Sequence, residues 1–224
     1  MPDTLHPLLA RHLGSTLAAA GLIAALAACG GSGPPGSAAA THSTAASGGT
    51  GTGTGQGRAG SQAPVPAESN PPGDIPDSTV YVRYRSAAGH LLLKVPEGWS
   101  RKTGGHGVTF TSKLNSISVG WLPTSAAPTV NSARATTVHA LRARTLAFQL
   151  RGVRSVSLPG GKAVEIVYQV NSPPNQVTGR QYRLVIERFE LYHQGREAVL
   201  SLSSAVGSDN VDPWRIVSES FRWM

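Results

Sequence analysis

From Gly30 to Asp77 the chain runs for 48 residues, of which 38 are Gly, Ala, Ser, Thr or Pro. Val65 and Ile75 are its only large aliphatic residues, so it has too little apolar surface to offset the entropy of ordering. This tract divides the 224 residues into a short head, a spacer and a tail of 147 residues, 78–224. The tail is long enough for one hydrophobic core. The Gly/Ser/Thr-rich part reads as flexible and the stretch from Pro64 to Pro76 as stiffer. As a coil the spacer spans about 35–42 Å root-mean-square. The match Gly55-x-Gly57-x-x-Gly60 lies inside it, without the preceding strand and following helix that a dinucleotide fingerprint requires. It is read as a coincidence of low complexity. One cysteine in the chain, Cys29, excludes an intramolecular disulfide framework and a thiolate zinc cage.

Leu13 to Ala28 is a run of sixteen uncharged residues, mostly Ala and Leu. As a helix it reaches roughly 24 Å, short of the ~30 Å hydrocarbon core of a bilayer. A charged start, a short apolar stretch and small residues at its end read as a secretory signal rather than a membrane span. That stretch closes with Leu26-Ala27-Ala28-Cys29, which resembles the lipobox of bacterial lipoproteins. The resemblance implies diacylglycerol joined to Cys29 through a thioether and cleavage between Ala28 and Cys29. The expected organisation is a signal peptide over 1–28, a lipidated Cys29 with a disordered linker to 77, and a folded domain over 78–224.

Within the tail, Val80-Tyr81-Val82-Arg83-Tyr84 and Leu91-Leu92-Leu93-Lys94-Val95, joined through Ala87-Ala88-Gly89, predict a hairpin. Short strands follow around Val108–Thr111 and Ser116–Leu122. From Thr129 the period changes. Val130, Ala133, Val138, Leu141 and Phe148 form one stripe at helical spacing, between the N-cap candidate Thr129 and Gly152. Strands return at Val153–Leu158, at Val164 to Val170, at Tyr182–His193 and at Ala198 to Leu202. In Tyr182–His193 the alternation breaks, and a β-bulge near Glu187-Arg188 would reconcile Leu184 and Ile186 with Phe189 and Leu191. Asp212-Pro213-Trp214 predicts the N-cap of a last short helix. Seven or eight mostly hairpin-joined strands with one long and one short helix make an α+β layered domain with an antiparallel sheet. Trp99 and Trp223 are expected to be largely buried.

The opening hairpin ending in Val95-Pro96-x-Gly98-Trp99, the long helix, the strand meander and a final Ser220-Phe221-x-Trp223 resemble the PsbP-like fold. More narrowly they resemble actinobacterial lipoproteins of the LpqN type. The resemblance implies helices on both faces of an antiparallel sheet, and accessory or binding roles without catalysis. It carries over no catalytic residues.

G-x-S-x-G, H-E-x-x-H, phosphate-loop and C-x-x-C motifs do not occur in the sequence. His90, His106, His139 and His193 stand apart. His193 and Glu197, across the Gln194-Gly195 turn, read as a solvated cross-strand contact. Glu187 and Glu190 face opposite sides of a strand unless a bulge intervenes. Asp209-Asn210-Val211-Asp212 lacks the Gly and distal Glu of a calcium loop and reads as a turn with a cap. No cofactor and no metal is expected.

Residues 78–224 carry 18 Lys and Arg against 8 Asp and Glu, a net +10, and a basic surface steers anionic partners. The export signal turns that expectation from nucleic acid toward phospholipid head groups and anionic wall polymers. Arg134, Arg142, Arg144, Arg151 and Arg154 are dense enough in sequence to form a basic patch. Tyr168, Tyr182, Phe189 and Tyr192 lie on neighbouring predicted strands and could line a ligand cleft. The expectation is an extracytoplasmic, membrane-anchored accessory module for an envelope protein or an amphiphilic ligand. The alternatives are an accessory or substrate-binding component of an ABC transporter and an envelope hydrolase with a non-standard site.

Overall fold

Successive side chains of a strand point to opposite faces, so a strand with apolar residues at both parities needs cover on both sides. That requirement organises this protein. The computed structural model describes residues 60–69 and 73–224, all within the compact unit Gly53–Met224. The lipobox residues Leu26, Ala27, Ala28 and Cys29, the rest of the expected signal segment, and Gly55 and Gly57 lie outside the described residues.

In chain order the elements are β1 (Tyr81–Ser86), β2 (Leu91–Pro96), β3 (Ser100–Gly104), β4 (Gly107–Ser112), β5 (Asn115–Pro123), α1 (Val130–Ser132), α2 (Val138–Arg144), β6 (Leu146–Leu158), β7 (Gly161–Asn171), β8 (Arg183–His193), β9 (Arg196–Ala205), α3 (Val211–Ser220) and β10 (Arg222–Trp223). Seven strands form an antiparallel sheet in the order β3-β4-β5-β9-β8-β7-β6, and three form a small antiparallel sheet, β1-β2-β10. On one face of the large sheet, Phe110, Ile117, Val119, Phe189, Leu191, Leu200 and Leu202 meet Leu91, Leu93 and Val95 of β2 and Trp214, Val217 and Phe221 of α3. On the other, Val164, Ile166, Tyr168, Val170 and Ile186 meet Ala133 and Val138 of the first helical segment. The domain is α+β, with helices on both faces of an antiparallel sheet.

The two cores explain the broken alternation in β8. Its register with β7 runs without shift from Arg183 to Leu191, and with β9 from Leu184 to His193. No bulge forms at Glu187-Arg188. Instead, Ile186 belongs to the helix-covered core, and Phe189 and Leu191 belong to the core beneath the small sheet. The irregularities fall in the edge strand β6, between Leu146 and Gln149 and between Leu150 and Gly152.

The long helix differs from expectation in two ways. Thr129 caps it through a capping box with Ser132. A π-helical turn, Ala133–Thr137, joins α1 to α2, and the Val138 N–H donates to the Ala133 carbonyl. That five-residue bond absorbs the five-residue step in the stripe and keeps Ala133 and Val138 on one buried face. The helix stops at Arg144, because Thr145 is extended (φ −119°, ψ 149°). Phe148 therefore sits on β6, where its ring tilts against Tyr168 with centroids 5.4 Å apart.

The ordered body begins earlier than residue 78. Asn171, at the end of β7, donates through Nδ2 to the carbonyls of Ser61 (3.0 Å) and Ala63 (2.7 Å), and its Oδ1 accepts from the Val65 N–H (3.1 Å). Further along, Asn210 donates to the Gly73 carbonyl (2.9 Å) and accepts from the Ile75 N–H (2.8 Å), and Asn115 also donates to the Gly73 carbonyl (2.6 Å). Ile75 is 5% exposed and belongs to the larger core. The register places Asn171, Arg183, Ala205 and Asn115 at one end of the large sheet. The tract expected to be entirely linker thus contributes two stretches docked across that end, each held where buried Asn side chains satisfy its backbone.

Asn210 is also the residue before α3, but its side chain makes no cap bond to the helix, being committed to Gly73 and Ile75. Asp212, expected as the cap, lies in the first turn and pairs with Arg215 at 2.9 Å. At the other end of α3, Phe221 is fully buried against the β6–β7 turn. A Cβ on Gly160 would come within 2.6 Å of the Phe221 ring and 2.9 Å of its carbonyl oxygen, and Gly161 holds φ +124°. Trp214 and Trp121 are the deeply buried indoles, whereas Trp99 and Trp223 only pack partly against the core.

Asn210→Ala would leave the buried Ile75 N–H without its acceptor and the Gly73 carbonyl held by Asn115 alone. A buried group left without its partner costs about 1–3 kcal/mol, and in a chain of this size each kcal/mol lowers the midpoint by about 2–4 °C. Thermal unfolding of the full chain followed by circular dichroism measures the effect, with an exposed substitution such as Lys113→Ala expected to leave the midpoint within a degree or so.

Candidate functional site

The alternation Tyr81-Val82-Arg83-Tyr84-Arg85 sends Tyr84 inward, where it meets the Phe110 ring edge-on at 5.1 Å, and Arg83 and Arg85 outward. Across the hairpin, Leu91, Leu93 and Val95 fill the core, which leaves Leu92 and Lys94 on the same outer face. The register sets Arg83 opposite Lys94 and Arg85 opposite Leu92. From the other side β10 sets Arg222 opposite Leu92. Four cations so converge on the outer face of the small sheet.

The last turn of α3 forms the far wall. Where β10 runs out, the Lys94 N–H donates to the Ser220 hydroxyl (2.7 Å), which in turn donates to the Val217 carbonyl (2.6 Å). Arg222 donates to the carbonyls of Glu219 and Phe221, both at 2.7 Å, and so serves orphan carbonyls at the helix C-terminus. Between these walls lies an open groove of about 640 Å³, lined by Arg83, Arg85, Leu92, Lys94, Ile216, Glu219, Ser220 and Arg222. Glu219 is the sole acid among them. The ion pairs found among the described residues use Arg154, Arg180, Arg188 and Arg215, so none of the four groove cations is paired. Like charges directly opposite on neighbouring strands disfavour the sheet, and Arg83 with Lys94 is such a pair.

The arginines dense in sequence do not make one patch. Arg134 donates to the Val153 carbonyl at 3.4 Å, and Arg142 stands over the Phe148 ring at 5.6 Å, both on the helix side. Arg151 bonds the Gln169 side chain at 2.7 Å, and Arg154 pairs with Glu165, both on the opposite face of β6–β7. Arg144 is exposed at the end of α2. The aromatic residues also separate. Tyr168 is buried beneath the helix and Phe189 beneath the small sheet. Tyr182 precedes β8 with Arg180 over its ring at 5.0 Å, and the Tyr192 hydroxyl accepts from the Gly195 N–H at 3.1 Å. They line no common cleft.

His193 stacks on Trp223 with centroids 5.7 Å apart. It pairs in register with Arg196, while Glu197 pairs with Tyr192, so His193 and Glu197 face opposite ways and make no cross-strand contact. Without a bulge, Glu187 and Glu190 also stay on opposite faces. Glu190 pairs with Arg188 at 3.0 Å. Burial, and then the charge of Glu165, push the Glu187 carboxyl up from its ordinary value, with Arg154 opposing. Among the described residues no group of three or more His, Cys, Asp and Glu could hold a metal ion.

Sequence reasoning missed the groove because its cations come from three segments spread over 140 positions. Arg83 and Arg85 two apart in an alternating run, with Lys94 across the predicted hairpin, were the available signal. Arg222 had none.

The fold defines the class: a layered α+β domain whose small second sheet carries a cationic groove. Among solved structures, the chain is similar to cyanobacterial PsbP (CyanoP) from Synechocystis sp. PCC 6803, with 16% identity over 68% of this chain and 99% of that one and a TM-score of 0.46. It is also similar to the Ran-binding protein Mog1p of Saccharomyces cerevisiae (12% identity, 65% and 96% covered, TM-score 0.47). A third is LpqN of Mycobacterium tuberculosis, described as involved in cell envelope biogenesis (13% identity, 65% and 85% covered, TM-score 0.38). Neither a protein-family model nor a curated protein matches the sequence.

A carboxyl raised in the fold stabilises the protein below its ordinary pKa, and that contribution is lost as pH rises through the folded value. Glu187→Gln, which stays neutral, is therefore expected to raise the thermal midpoint by a few degrees near neutral pH. Below the ordinary carboxylate range the variant and the parent should melt together. Melting curves across pH check the sign.

Proposed function

We propose that this chain is a membrane-anchored lipoprotein of the bacterial cell envelope whose folded domain is a non-catalytic binding or accessory module. The observation that carries the reading is the place of Cys29: the sole thiol of the chain, it ends an uncharged stretch with Leu26-Ala27-Ala28 before it and a Gly/Ser/Thr tract after it. Two acyl chains on such a thiol give stable anchoring where one gives marginal binding. Among the described residues no helix is long and apolar enough to cross a membrane, and in this reading the attachment is the lipid itself. The domain's contribution is recognition. A groove on the outer face of the small sheet presents four cations that pair with no acid among the described residues.

The body now begins at residue 60, so the chain left to serve as a tether shortens from 48 residues to the 30 between Cys29 and Gly60. A Gly-rich coil of that length spans about 30 Å.

Cys29→Ala is expected to move the protein from the membrane to the soluble fraction while leaving the melting curve of the domain unchanged. Cell fractionation with mass spectrometry of the mature N-terminus reads both the lipid and the cleavage. A bare thiol at Cys29 in the membrane fraction would sink the reading.

A further inference from the structure

We propose that the groove on the outer face of the small sheet binds an extended phosphodiester polymer of the envelope. The cations stand in two ranks. Arg83 and Lys94 are direct cross-strand neighbours, and Arg85 and Arg222 flank Leu92 on either side. The ranks lie two residues apart along the strands, about 7 Å at ~3.3 Å per residue. That is the span of a phosphodiester repeat across three carbons, so consecutive phosphates of one chain can each meet a pair of cations. Arg222 already gives one nitrogen to helix carbonyls, and Arg85 gives its Nε to the Met224 sulfur at 3.3 Å. The remaining guanidinium N–H groups and the Lys94 ammonium stay available. Leu92 on the floor and Ile216 on the wall, the latter 39% exposed, can take the carbon segments between phosphates.

The groove and the docked N-terminal stretches lie at opposite ends of the body. The docked N-terminal stretches cross the end of the large sheet that holds Asn171 and Asn115. The groove lies toward the opposite end: Trp223 stacks on His193, the β1–β2 turn receives Arg196 through the Ala88 carbonyl at 2.8 Å, and Phe221 abuts the β6–β7 turn. Strand β8, which links the two ends, is about 33 Å long. The described chain begins at the far end, at Gly60, so the groove lies at the end of the body remote from that point. The choice of an envelope polymer over nucleic acid rests on the anchored reading above. The binding itself does not.

The test uses the full chain carrying Cys29→Ala in solution and poly(glycerol phosphate) as the probe, followed by titration calorimetry. Two phosphates, one at each rank of cations, at about 0.7 released counterions each give an expected slope of log K against log salt of roughly −1.4. Arg83→Glu with Lys94→Glu is expected to weaken binding at least about tenfold and flatten that slope. Lys102→Glu with Lys113→Glu, the same charge change on exposed positions outside the groove, is expected to stay within about twofold. Circular dichroism melts confirm that each pair folds, and Arg83→Gln with Lys94→Gln substitutes if the reversed pair does not. Equal losses in both pairs would overturn the site in favour of diffuse charge. Equally tight binding of hyaluronate, whose carboxylates are more widely spaced, would overturn the spacing match. Capture by phosphatidylglycerol vesicles with no polymer binding would overturn it in favour of a bilayer contact. Failure of the anchor shifts the protein between cell fractions and leaves these affinities unchanged, so the two readings fail separately.

Discussion

The unbroken pleat of β8 sets the plan of this domain. Leu184 to Leu191 pair on both sides without a slip, so parity alone decides which way each side chain goes. Ile186 falls on one face, and Phe189 and Leu191 on the other. Neither set can be left in water, since burying one such side chain is worth about 1.5–3 kcal/mol. One cover is the π-interrupted helix, which is short and lies over β6 to β8. The other is composite, built from β2, β10 and α3. Because that second cover includes a sheet of its own, the protein gains an outer face with no counterpart on the helix side, and there the four cations collect.

Much of this was legible in the chain. The hairpin of β1 and β2, the strands from Val153 to Leu202 and the closing helix follow from period and turn chemistry. What was not legible has a common physical cause. Alternation was read as belonging to one core, so a strand serving two cores looked bulged. The five-residue step from Ala133 to Val138 passed as a loose helical spacing, although only a wider turn keeps both residues facing inward. Phe148 was carried along with the helix because the stripe was counted by interval rather than by the extended preference of Thr145 and its successors.

The spacer shows the limit of composition as a guide. Its scarcity of apolar residues argues against a core of its own, yet Gly60 to Ser69 and Gly73 to Asp77 are placed against the rest of the protein. Three buried asparagines do this by binding backbone groups. A side-chain amide offers donors and an acceptor together, so it can hold a segment with no side chains worth burying. The groove was hidden for a related reason. Charge density along a sequence measures neighbours in the chain, whereas a sheet brings together residues that share a register, and Arg222 reaches its partners only through the final two-residue strand.

The mooring at Asn171 has a mechanical consequence. Its bonds to Ser61, Ala63 and Val65 lie in series along the incoming segment, so a pull from the N-terminal side would peel them one after another instead of shearing them together. Letting go of residues 60–69 would lengthen the leash by about 33 Å before any load reached the clasp at Asn210 and Asn115. The strap is thus a reserve of reach, spent only under tension, that would let the body follow a retreating partner while its strands stayed paired.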